Sequence, residues 1–204
     1  MFTKRYKFIS MMAVVLSCLL LLTGCGNQDA AKKKTLTVAT SGTLYPTSYH
    51  DPKTKKLTGY DVEVVRAIAK GLHKKVVFKE YSVDGMLTAV KTGKADMAVD
   101  DFAISPARKK NYLMSLPIKH SFNSIMVRAS DNSGINSWSD LKGKKSAGEA
   151  GTNYQRLSKQ LGAKLVNYDN VSNDVYVRDL KNGKTDYIML SLIHISEPTR
   201  LALI

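Results

Sequence analysis

The chain has 204 residues, 44% of them hydrophobic and 24% charged, a balance that excludes a disordered or fibrous protein. Two cysteines are too few for a disulfide framework or a cysteine-rich zinc module. Lysine and arginine number 31 against 17 acids, a formal charge of +14, but the cations are spread along the chain and not grouped with aromatic residues, so no nucleic-acid partner is expected.

The first element is a targeting segment. Lys4, Arg5 and Lys7 precede an apolar run from Phe8 to Leu22, which is short for a membrane-spanning helix. The run meets Leu22-Thr23-Gly24-Cys25. Small residues fit a signal peptidase, and a thiol can take a lipid thioether. The tetrapeptide resembles the lipobox of bacterial lipoproteins. That resemblance implies a signal peptide over 1–24, lipidation at Cys25, and a lipid anchor on the extracytoplasmic face of the cell membrane of a Gram-positive bacterium. Loss of the signal removes Lys4, Arg5 and Lys7 and lowers the charge from +14 to +11. Residues 25–34 read as a polar tether.

From Thr35 the pattern becomes strand, helix, strand. Leu36-Thr37-Val38-Ala39 is a short β-rich run. Asp61 is expected to cap a helix with apolar positions Val62, Val65, Ile68, Ala69 and Leu72, ending at Gly71. Val76-Val77-Phe78 predicts the next strand. Asp84-Gly85 opens a second helix bearing Met86, Leu87 and Val90, and Ala95 to Val99 predicts a third strand. This alternation predicts an α/β fold with a mostly parallel sheet covered by helices. Ligands of such sheets bind beyond the carboxyl ends of the strands, which directs attention to residues 40–49 and 100–108.

Within the second loop, Ser105-Pro106 reads as an N-cap followed by proline at the first helical position. Arg108 then falls in the first turn, where the helix dipole disfavours a cation. A bound carboxylate would remove that objection. The alternative is a solvated basic face of Arg108, Lys109 and Lys110, and both readings stand on the local sequence. The acidic pair Asp100-Asp101 would favour a cationic substrate if it faced inward; an outward orientation is expected.

Gly59-Tyr60-Asp61-Val62-Glu63, Lys94-Ala95-Asp96-Met97 and Ile104-Ser105-Pro106-Ala107-Arg108-Lys109-Lys110 resemble the motifs of extracellular solute-binding protein family 3, receptors for polar amino acids. Ser115-Leu116-Pro117 and Leu141 to Lys145 followed by Gly151-Thr152 continue the match in order, from about Thr35 to Met189. The resemblance implies a periplasmic-binding-protein-like bilobal fold of type II, with lobe 1 over 35–128 and a partial lobe 2 over 129–189. It implies no enzyme and no cofactor or metal. The protein would be a monomer that captures a polar amino acid and passes it to an ABC permease and its ATPase.

Carried over by position, Arg108 would pair with the ligand carboxylate, assisted by backbone groups at Asp101 and Ala103 and by donors of Thr152. Tyr45, Leu44 and Phe102 would line the side-chain pocket. Ala107 departs from the family, which usually has glutamate there. Thr43 to Asp51 resembles the cystine-binding branch. A dehydratase or lyase on the same fold, or a sensor domain, are the alternative functions; His50, His73 and His120 are scattered and read as surface residues.

The far end breaks the pattern. The family places a carboxylate for the ligand ammonium where this chain has Ser191. Leu190 to Arg200 resembles the translation of a transposon-derived sequencing adapter, so 190–204 is expected to be non-native and the second lobe incomplete, with poor or no ligand binding as the consequence.

Overall fold

A computed structural model describes residues 34–195 of the chain. The signal segment, Cys25 and the tether up to residue 33, like residues 196–204, lie outside the described residues.

The first lobe is built on three parallel strands: β1 (Thr35–Thr40) lies between β5 (Lys75–Glu80) and β6 (Met97–Ala98). Val38, Ala39 and Thr40 are all buried, because a central parallel strand is covered on both faces and needs no polar alternation. Helix α1 (Tyr60–Gly71) turns Val62, Val65 and Ala69 inward and lies against β5. Helix α2 (Val83–Lys91) packs Met86 and Ala89 on Ala39 and Ala95. A small antiparallel meander, β2 (Thr43–Leu44), β3 (Ser48–His50) and β4 (Leu57–Thr58), forms one side of the lobe.

Several expectations shift here. Asp61 does not cap α1: the cap is Gly59, at φ 121°, where a Cβ would meet the Thr47 carbonyl oxygen at 2.5 Å. Asp61 sits in the first turn, buried, with its carboxylate turned away toward another loop. Ile68 and Leu72 are exposed, since the helix needs only a narrow stripe against β5. The third strand is reduced to Met97 and Ala98. The helix ends at Gly71, with the C-cap one residue on at Leu72 and His73 following at φ 53°.

The second lobe is a four-stranded sheet in the order β7, β10, β8, β9 (Asn123–Val127, Tyr187–Ser191, Lys145–Glu149, Lys164–Tyr168). β7 runs antiparallel to β10 and the other pairs are parallel. Every residue of β10 is buried. Ile188 and Leu190 face α5 (Asn173–Lys181) through Tyr176 and Leu180; Tyr187 and Met189 face the other side, toward Leu157 of α4 (Asn153–Gln160). The two-residue period of a strand thus feeds two separate apolar layers.

Because β7 pairs with β10, the chain enters the second lobe before Asn123 and not at residue 129. Leu190 and Ser191 complete β10 opposite Ser124 and Asn123, and a short helix α6 (Leu192–Ile195) follows. His194 is 3% exposed there, unlike the surface position read for the other histidines.

Candidate ligand site between the lobes

The carboxyl ends of both sheets border one cavity of about 690 Å3, counting its open mouth. Leu44, Asp101, Phe102, Ala103, Arg108 and Thr152, all singled out by sequence, line it together. Tyr45 is not among the lining residues: its ring packs tilted against that of Tyr49, centroids 4.6 Å apart, and its carbonyl lies 2.8 Å from His194 Nδ1.

Arg108 lies in the short helix α3 (Pro106–Asn111), where Ser105 caps by accepting from the Arg108 N–H and Pro106 holds the first position, as the sequence indicates. The side chain is 8% exposed, so the solvated basic face does not form at this residue. Its guanidinium donates to the Ala103 carbonyl at 3.0 Å and to the Gly151 carbonyl of the other lobe at 3.5 Å, and stacks 4.8 Å over the Phe102 ring. These partners are neutral. Among the described residues Arg108 has no ion-pair partner, and burial, with Arg156 nearby, lowers its pKa. A buried guanidinium held in this way is ready for a planar carboxylate.

The acidic pair points inward, against expectation. Asp100 is 8% exposed, and its Oδ1 accepts from the Ser41 hydroxyl at 2.7 Å and from the Ser41 N–H at 3.4 Å. Burial pushes its carboxyl up to about 7; the Ser41 bonds oppose this, and the Asp61 and Glu149 charges add to it. Asp101, at φ 55°, accepts from Lys119 at 3.0 Å, from the Tyr154 hydroxyl at 3.4 Å, and lies 2.8 Å from His194 Nε2. Burial alone would raise Asp101, but the contacts with His194 and Lys119 bring it below the usual carboxylate range. The pair faces inward because Ser41, just past β1, and Lys119 supply donors that a sequence-local reading does not contain.

Two of the backbone and hydroxyl donors assigned by position are already engaged. The Asp101 N–H donates to Asp61 Oδ2 at 2.7 Å. The Thr152 hydroxyl donates to the Glu149 carbonyl at 2.8 Å and accepts from the Gln155 N–H, as the N-cap of α4. Thr152 therefore shapes the helix end that faces the cavity, and the Ala103 carbonyl positions Arg108.

Sequence reading missed Glu149, Asn170 and Asn173. Glu149 Oε1 accepts from the Val83 N–H across the cleft at 2.7 Å, satisfying a first-turn donor of α2; burial raises its pKa, with the Val83 bond opposing. Thr43 donates to Asn170 Oδ1 at 2.9 Å, and Asn170 Nδ2 donates to the Ser41 carbonyl at 3.4 Å, so one asparagine at φ 46° joins the lobes. Asn173 lines the cavity with its Oδ1 buried and without a hydrogen-bond partner. An asparagine ahead of a helix carries no signal that separates these roles from ordinary capping. Among the described residues no cluster of His, Cys, Asp or Glu could hold a metal ion.

With this geometry in view, residues 36–145 match the model of the bacterial extracellular solute-binding proteins, family 3. The chain belongs to this family. It is 49% identical over 166 residues to the probable ABC transporter extracellular-binding protein YckB of Bacillus subtilis (strain 168), covering 80% of this chain and 58% of YckB. It is 36% identical over 155 residues to the L-cystine-binding protein TcyA of the same organism, covering 76% of this chain and 56% of TcyA. The chain thus spans less than two thirds of the length of these curated relatives. Among solved structures, an ancestral arginine-binding protein bound to arginine superposes with a TM-score of 0.74 at 30% identity, covering 82% of this chain and 74% of that one. The fold is accordingly the type II bilobal fold of periplasmic amino-acid-binding proteins. The family is one of binding proteins, and neither matched relative is named as an enzyme.

Proposed function

We propose that this family-3 chain captures a polar amino acid outside the cytoplasm and delivers it to an ABC importer. The observation that carries the reading is Arg108: buried in the cavity between two lobes, donating to neutral carbonyls, with no ion-pair partner among the described residues. It would clamp the ligand α-carboxylate, and the lobes would close over the bound molecule. The name of YckB supports partnership with an ABC transporter, here a permease and its ATPase, and the name of TcyA puts cystine among the ligands to be tested. The lipobox supports a lipid anchor at Cys25 on the extracytoplasmic face, with the receptor acting as a monomer.

Isothermal titration of the full chain with a panel of L-amino acids tests the reading. Arg108→Ala is expected to weaken binding of the best ligand by about 100-fold or more, since it removes a charge-assisted bidentate contact in a dry site. An affinity unchanged in a folded Arg108→Ala protein would refute the assignment.

A further inference from the structure

Charge in the cavity is unbalanced in a way that the carboxylate clamp does not resolve. Asp100, Asp101 and Glu149 line it against a single cation, Arg108. Asp101 is compensated by Lys119, which bridges it to Asp61 at 3.0 and 2.7 Å. Asp100 and Glu149 have no ion-pair partner among the described residues. Their hydrogen-bond donors, Ser41 for Asp100 and the Val83 and Asn170 N–H groups for Glu149, are neutral. Two carboxylates facing one cavity without a cation are costly to bury, and that cost is what a ligand can remove.

Asn173 supplies an independent observation. This residue also lines the cavity, and its Oδ1 is buried with no hydrogen-bond partner. The lining therefore offers three acceptor groups, Asp100, Glu149 and Asn173, that call for donor-only chemistry. Ammonium and guanidinium groups are donor-only and positively charged.

Resting on the amino-acid reading of the cavity, we propose that Asp100 is a specificity-determining residue that, with Glu149, selects an amino acid of net charge +1. The ligand carboxylate meets Arg108. Its α-ammonium and a side-chain ammonium or guanidinium then face the two carboxylates that have no ion-pair partner, and the ligand's net positive charge offsets the excess of acids over cations around the cavity. A net-neutral amino acid leaves one of them buried and unpaired. The position of Asp100 at the end of the first-lobe sheet makes it a wall of the cavity, in contrast to the outward-facing pair expected from sequence.

The test is a titration of the full chain with L-arginine, L-lysine, L-ornithine, L-glutamine and L-cystine, repeated on Asp100→Asn, with thermal unfolding as the check on folding. The cationic ligands are expected to bind about tenfold or more tighter than glutamine and cystine. Asp100→Asn is expected to lower that ratio by about tenfold, chiefly by weakening the cationic ligands. A merely structural role would weaken all five ligands alike, and that result overturns the inference. Glutamine or cystine binding as tightly as arginine and lysine also overturns it, and leaves the amino-acid reading in place. Binding of none of the five at millimolar concentration overturns the reading on which it rests. Should Asp100→Asn fail to fold, the wild-type ranking alone decides.

Discussion

At the scale of single residues, Asp100 links the cavity to the stability of the fold. Its carboxyl titrates near 3.8 when exposed and is pushed up to about 7 by burial in the native lobe. Between those values the native chain holds a proton that the unfolded chain has released. Stability attributable to this group is therefore full below pH 4 and is lost as pH rises toward 7, by at most about 1.4 kcal/mol per unit. In the ligand-free protein, thermal unfolding should show wild type losing ground to Asp100→Asn as pH rises from about 4 to 7, with no further loss above that. Parallel pH profiles for the two proteins would contradict this. Arg108 poses no comparable titration, since it stays charged throughout; its cost is desolvation, partly offset by the Phe102 ring and two carbonyls.

At the scale of elements, the turn from β8 into α4 sets how closely the lobes approach. Gly151, at φ 78°, is placed so that a Cβ would lie 2.0 Å from Asp84 Oδ1 in the other lobe. Gly151→Ala should leave each lobe folded but force the Asp84 carboxylate to swing aside and strain a left-handed turn whose carbonyl accepts from Arg108. The expected result is weaker ligand binding by titration. Gly93→Ala is the control: it shares a left-handed φ of 71° but has nothing within 4 Å, so it should cost about 1 kcal/mol of stability and leave affinity alone. Equal affinities for the two variants would discount the clash.

Elements differ in how openly the sequence declares them. The inward stripe Val62, Val65, Ala69 and the run Val76 to Phe78 are legible because local periodicity and burial coincide. The Ser105-Pro106 start of α3 is legible because a cap and a proline act within four residues. The orientation of Asp100 is not, since it depends on Ser41, 59 positions away. Nor is the bridging role of Asn170, whose partners Thr43 and Ser41 lie 127 and 129 positions away. The two-residue strands of the meander fall below any pattern a window can detect. The loop places Tyr45 toward the cavity in sequence, but the Tyr49 ring and the His194 side chain of α6 give it other neighbours.

At the scale of the whole molecule, the proposed lipid anchor turns a receptor free to diffuse away into one confined beside its importer. A diacylglyceryl thioether brings two acyl chains, enough for stable membrane attachment. Wild type should incorporate labelled palmitate and sediment with membranes, whereas Cys25→Ser should lose the label and appear in the medium. A Cys25→Ser protein that stays with the membrane fraction would point to another mode of retention. The bonds that cross the cleft carry a separate consequence. Thr43 with Asn170, Asn170 with the Ser41 carbonyl, Glu149 with the Val83 N–H, and Arg108 with the Gly151 carbonyl each include at least one uncharged partner. Dissolved ions screen charge pairs strongly and such contacts little. Lobe closure should then proceed alike in fresh and saline surroundings, while first attraction of a cation to the acidic cavity weakens with ionic strength. A receptor built this way would let the medium govern how often a ligand arrives, but not how firmly the door shuts behind it.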